Sequence, residues 1–196
     1  MANGFNDIYK DLAKYIDRYE VKLGFNPGTF QLRSGVKANK IILERTELLS
    51  LNVEEAQSWV GECDRDPEEL CVKLRKLGPK AVVLTDGRKG AYSHSDEGFY
   101  YIPEFPGKRV EATGAGDSFT TAYMAALFYG KSHQEALAWG PVNAGSVVLQ
   151  VGPQAGLLTK RELEQRLKKM KSYRAVAITD ESVKRHILKA VARKKD

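Results

Sequence analysis

Long apolar runs are absent. Nowhere in the 196 residues do about 18 apolar residues follow one another, and the opening MANGFNDIYKDL lacks the apolar stretch of a secretory signal, so the sequence predicts neither a membrane span nor export. A cytoplasmic setting is expected. Cysteine is scarce: Cys63 and Cys71 are the only two, in a charged, helix-like stretch without CxxC or Cys/His zinc spacing. They read as ordinary thiols. There is no GxxxxGK[ST], which excludes a P-loop, and no GxGxxG, which excludes the dinucleotide fingerprint. With no GxSxG, the three histidines, His94, His133 and His186, have no nucleophile motif to serve and read as surface or packing residues. No internal repeat or low-complexity segment is found.

What is present suits one sizeable core, since 42% of the residues are hydrophobic. The net charge of +6 raises a nucleic-acid reading, but it is unevenly spread: residues 160–196 hold 13 basic and 5 acidic side chains, which leaves 18 basic against 20 acidic in the rest. The basicity therefore belongs to the tail. A solvated helix face accounts for it, because Tyr173 is the tail's one aromatic and a stacking platform for single strands is lacking.

Along the chain, Ile8, Leu12, Tyr15, Ile16 and Tyr19 are spaced as the apolar face of an opening helix. VKLGF reads as a strand, NPGT as a turn and LLSLN as the next apolar run. Two helices follow, from Asn52 and from Pro67, the second capped by Asp66 and ended by Gly78. AVVLT is a short buried strand, and AYSHS and FYYIP form a hairpin at a sheet edge. Three further helices are expected: residues 115–128, rich in small residues; 133–150; and TKRELEQRLKKM, capped by Thr159. Strands alternating with helices imply an α/β layered fold with a mainly parallel sheet flanked by helices. Residues 1–174 form the body, and 175–196 a basic extension, helical from about Asp180, with Val183, Ile187, Leu188 and Val191 on one side.

The chemistry concentrates in VEATGAGDSFTT, residues 110–121. Gly114, Ala115 and Gly116 let backbone approach an anion closely, and the helix start adds partial positive charge. Asp117 beside such an anion hole can take the proton of an attacking alcohol. A plain helix cap reads the same residues equally well when they are taken alone.

TGAGDSF, together with N-x-x-E at residues 52–55 and TDGRKG at 85–90, in that order, resembles the ribokinase-like (PfkB) family of ATP-dependent carbohydrate and nucleoside kinases over about residues 5–172. The resemblance implies Asp117 as catalytic base and the amides of Gly114, Ala115 and Gly116 as anion hole. It places Thr85, Asp86, Gly87 and Gly90 in the nucleotide loop and Asn52 towards ATP, with Glu55 organising Mg²⁺ and its waters. Asn52 and Glu55 also fit a capping box, and the two roles are compatible. The family's polar residue near adenine falls on Pro141, with Asn143 two positions on as a candidate. Glu111 and Gly156 replace residues associated with a monovalent-cation site, so that cation stays open. Complete members of the family carry further strands, a lid and most acceptor contacts at the front, and the resemblance implies a C-terminal portion of such a kinase. The expected partner is a sugar or nucleoside, with association or a homodimer through surface that the absent part would cover. The alternative is a catalytically inactive nucleotide-binding or assembly module.

Overall fold

The computed structural model describes residues 3–61 and 66–192. Cys63 lies outside the described residues. The chain divides into two compact units, one through Leu84 and one from Thr85.

The first unit holds helix α1 (Asn3–Tyr19), strand β1 (Leu23–Phe25), helix α2 (Thr29–Leu43), strand β2 (Thr46–Asn52), helices α3 (Val53–Val60) and α4 (Pro67–Arg75), and all but the end of strand β3 (Ala81–Thr85). β1, β2 and β3 lie side by side in that order, with β1 parallel to β2. Leu48, Leu49, Leu51, Ile42, Leu43, Leu70, Leu74 and Val83 form its core. Asp66 caps α4 as expected, its carboxylate accepting from the amides of Glu68 and Glu69 at 2.9 and 3.3 Å. α2 is absent from the sequence reading. Gly35, with φ 75° and ψ 171°, breaks that helix in two and interrupts its apolar periodicity.

The expected apolar face of α1 needs correcting. Tyr9, Ala13 and Ile16 are the buried residues, whereas Ile8, Tyr15 and Tyr19 are 67%, 55% and 55% exposed. Tyr9 faces Asn39 of α2, its hydroxyl 3.4 Å from Oδ1.

The second unit begins with a short 3-10 turn (Gly87–Lys89), followed by strands β4 (Ala91–Ser95) and β5 (Gly98–Ile102), helices α5 (Ala115–Phe128), α6 (His133–Val147) and α7 (Lys160–Lys169), strand β6 (Val176–Ala177) and helix α8 (Glu181–Ala192). The hairpin is as expected, but β5 is not its free edge: β6 pairs with it, antiparallel like β4. Pairing in this unit is antiparallel, whereas β1 and β2 of the first unit run parallel. α5 packs on α6 at close range. Gly140 permits this, since a Cβ there would come within 2.7 Å of the Phe119 ring. His133 packs rather than reacts: its Nδ1 lies 3.0 Å from the Tyr123 hydroxyl, which is 2.7 Å from Ser93 Oγ.

The basic tail joins this unit. Ile178 donates its amide to Phe99 at 2.8 Å, Tyr173 its hydroxyl to Pro103 at 2.7 Å, and Ile187 of α8 is buried. The side chains of Leu188 and Val191 lie outside the described residues. Cys71 is buried and unoxidised, and burial pushes its thiol well above the usual range. No helix among the described residues is long and apolar enough to cross a membrane.

Candidate active site at the start of α5

Three helices begin with reciprocal side-chain caps: Asn52 with Glu55, Ser132 with Glu135, and Thr159 with Glu162. α5 begins without one. Its N-cap is Gly114, at φ 79°, with no side-chain hydrogen bond to the first turn. Glycine is required there twice over, by the left-handed backbone and because a Cβ would stand 2.6 Å from the carbonyl oxygen of Pro153. The first intrahelical bond runs from Ser118 to Gly114 at 2.9 Å, so the preceding amides must find partners elsewhere.

One of them does so locally. The Ala115 amide donates to the Ala112 carbonyl at 3.2 Å, which removes it from the expected three-amide anion hole. The amides of Gly114 and Gly116 have no backbone acceptor among the described residues. Asp117, at the third helical position, is exposed rather than turned inward.

Gly116 and Ala115 share a cavity of about 160 Å³ with Thr85, Gly87 and Gly90 of the loop after β3. That loop is tightly bonded. The Asp86 amide donates to Gly90 and the Lys89 amide to Asp86, both at 2.8 Å. The Tyr101 hydroxyl donates to the Lys89 carbonyl at 2.9 Å, and burial, with the charge of Asp86 adding, pushes that phenol up to about 12. At Gly90, with φ 108°, a Cβ would collide with the Ile102 carbonyl. Asp86 itself forms an ion pair with Lys89 at 3.8 Å and is not on the cavity wall.

Asn143 is also off the wall and packs inside the protein. It is 3% exposed; its Nδ2 donates to the Ser118 carbonyl at 2.9 Å and its Oδ1 accepts from the Leu158 amide at 3.0 Å. It thereby ties α6 to the first turn of α5 and to the end of the loop at 149–158. Pro141, Ala144 and Gly145 of α6, and Val148 at its C-cap, do line the cavity.

Asn52 and Glu55 belong to the first unit and form the capping box, with Glu55 Oε2 accepting from the Asn52 amide at 2.9 Å and Asn52 Oδ1 from the Glu55 amide at 2.7 Å. Among the described residues there is no cluster of three acidic, histidine or cysteine side chains suited to a metal.

The sequence reading passed over the wall at residues 104–109. Lys108 and Arg109 both line the cavity. Arg109 is held by Glu104, Nη2 to Oε1 at 2.6 Å, whereas Lys108 forms no ion pair among the described residues. The FPGKR turn ahead of TGAGDSF was the available signal. Glu111, singled out in the sequence for a monovalent-cation position, instead accepts from the Gly152 amide at 3.0 Å through Oε2. That carboxyl is held below the usual range, first by its hydrogen bond with Thr113 and then by Gly152. Gly156, at φ 83°, cannot carry a side chain without collision against the Ser146 carbonyl. Neither position is arranged here as an open pair of cation ligands.

An α/β domain with an uncapped, glycine-rich helix start is the class that these elements define. Residues 30–160 match the pfkB family of carbohydrate kinases, well over half of the chain, and the chain belongs to that family. It is 27% identical to ribokinase of Bacillus subtilis over 157 residues, covering 80% of this chain and 50% of that protein. Inositol 3-kinase of Zea mays is 34% identical over 96 residues, 46% of this chain and 25% of that one. Among solved structures, Arabidopsis thaliana ribokinase complexed with ribose and ATP superposes with a TM-score of 0.71 at 25% identity, over 83% of this chain and 53% of that chain. The fold is ribokinase-like, and the chain spans about half the length of the ribokinases it matches.

Proposed function

We propose that this chain carries the phosphoryl-transfer site of an ATP-dependent kinase acting on a hydroxyl of a sugar, nucleoside or similar small molecule. The observation that carries the reading is the start of α5: an exposed Asp117 directly after Gly116, whose amide, like that of Gly114, has no backbone acceptor among the described residues. The names of the relatives, ribokinase and inositol 3-kinase, agree with the chemistry.

In this reading Asp117 accepts the proton of the acceptor hydroxyl. The freed oxygen forms the new bond to the γ-phosphorus as the bond to ADP breaks. The Gly114 and Gly116 amides, aided by the helix dipole, stabilise charge on the transferring group without a lysine. Thr85, Gly87 and Gly90 present backbone to the nucleotide, and the apolar wall of Pro141, Ala144 and Gly145 suits a flat base. The family resemblance also assigns Asn52 to the nucleotide in the same reading.

Mg²⁺ fits the donor set, being a hard cation that keeps several waters and needs one or two carboxylates. Glu55 would hold it through those waters from Oε1, since Oε2 is engaged in the cap. When bound, the ion supplies charge neutralisation at the phosphates. The protein's part is to orient them.

Replacing Asp117 by Asn in a product with measurable kinase activity lowers kcat by about 10²–10⁴-fold while nucleotide affinity is kept, as expected for loss of a general base. Turnover near that of the parent would overturn the assignment. A second reading is a nucleotide-binding or assembly module without catalysis. Calorimetry with ATP–Mg²⁺ separates the two, since binding without acceptor-dependent ADP release supports the module.

A further inference from the structure

α1 carries an apolar stripe that the first unit does not bury. Ile8, Leu12, Tyr15 and Tyr19 follow one another at intervals of four, three and four residues, a seam parallel to the helix axis. Ile8, Tyr15 and Tyr19 are 67%, 55% and 55% exposed, and the two tyrosine rings lie 4.6 Å apart, which makes the stripe continuous. The buried face, Tyr9, Ala13 and Ile16, lies to one side of the seam. On the other side stand Asp11 and Arg18, seven residues apart and both exposed. An acid therefore flanks the earlier part of the seam and a base the later part.

This polarity is self-complementary only when two such helices run antiparallel. In that arrangement Ile8 meets Tyr19 of the second copy and Leu12 meets its Tyr15, while the flank brings Asp11 opposite Arg18 twice, once on each side of the two-fold axis. A parallel pair would set the same flank against the buried face instead. We infer that α1 is an interface for a second copy of this chain, formed by antiparallel pairing of the 8–12–15–19 seam and closed by two Asp11–Arg18 ion pairs.

The local interactions do not oppose it. Asp11 is held by Lys14 at 3.0 Å, but both side chains are more than three-quarters exposed and such a pair is readily exchanged. Arg18 rests over the Tyr19 ring at 5.3 Å and makes no ion pair among the described residues. A single helix pair buries less than a standard interface, so the dimer is concentration-dependent and weakened by salt. The inference does not rest on the kinase reading.

Sedimentation equilibrium of the 196-residue chain tests it. The parent is expected to dimerise at low ionic strength. Asp11→Arg and Arg18→Asp are each expected to weaken the dimer by about tenfold or more, because each sets two like charges against each other. An equimolar mixture of the two variants, and the double variant alone, are expected to regain the parent's dimer, since both pairs are then opposite in sign again. Unchanged circular dichroism shows that the exposed substitutions leave the fold intact. A parent that stays monomeric, single variants that dimerise as the parent does, or a mixture that fails to regain association would each overturn the inference. The last two outcomes would assign any association to another surface, such as the edge at β1, or to another partner.

Discussion

α5 and α6 are packed neighbours that begin in opposite ways. α6 closes its own first turn: Ser132 accepts from the Glu135 amide at 3.2 Å, and Glu135 accepts from the Ser132 amide at 3.1 Å. α5 has glycine at the same place and relies on other parts of the chain, namely the carbonyl of Pro153 pressed against Gly114, Asn143 bonded to Ser118, and Glu111 bonded to Gly152. A self-capped helix start is stable and occupies its N-cap and third-position amides with its own side chains. A start held from outside keeps its amides available, and this is the difference a phosphate site needs.

The comparison breaks most severely at Asn143. Asn143→Leu keeps the volume but leaves the Ser118 carbonyl and Leu158 amide without their partner, at about 1–3 kcal/mol for each buried group. Urea unfolding should register a loss of about 2–6 kcal/mol on that basis, and nucleotide affinity should fall with it. Next comes Gly114→Ala, which forces a side chain into the left-handed region and towards Pro153; a loss of about 1–3 kcal/mol in thermal unfolding is expected, with nucleotide binding impaired. Ser132→Ala is the control at α6. It should cost about 1 kcal/mol in stability and leave nucleotide binding unchanged.

The smallest effect is that of pH, and it sharpens the contrast because both helix starts use a carboxylate. Glu111 and Glu135 each have a folded-state pKa below the ordinary value, Glu111 chiefly through Thr113 and Glu135 chiefly through the Ser132 amide. Each therefore contributes stability that is complete above the usual carboxylate range and lost as pH falls through the depressed value. Hydrogen exchange should show the Gly152 and Ser132 amides equally protected from neutral pH to mildly acid pH. Below the usual carboxylate range, both should open relative to core amides.

Much of this was legible in the sequence, for reasons of range. Asp66, Asn52 and Thr159 act on residues two or three positions away, so their caps stand in the sequence itself, as does the glycine-rich entry to Asp117. Contacts over long separations were not legible. Glu111 meets Gly152 across 41 positions and Asn143 meets Ser118 across 25. β6, with two residues, is too short for any periodicity and forms because β5 offers an edge. α1 was misread because its exposed seam, Ile8, Leu12, Tyr15 and Tyr19, is more apolar than the Tyr9, Ala13 and Ile16 that the first unit buries. The strongest local pattern marked the face left uncovered.

The most direct measurement is of the amides themselves, by following backbone ¹H–¹⁵N resonances as ATP–Mg²⁺ is added. Gly114 and Gly116 should shift at saturation and become protected from exchange, while the Ser132 and Glu135 amides of α6 stay where they were. Unmoved Gly114 and Gly116 resonances in the presence of bound nucleotide would contradict the site proposed at the start of α5.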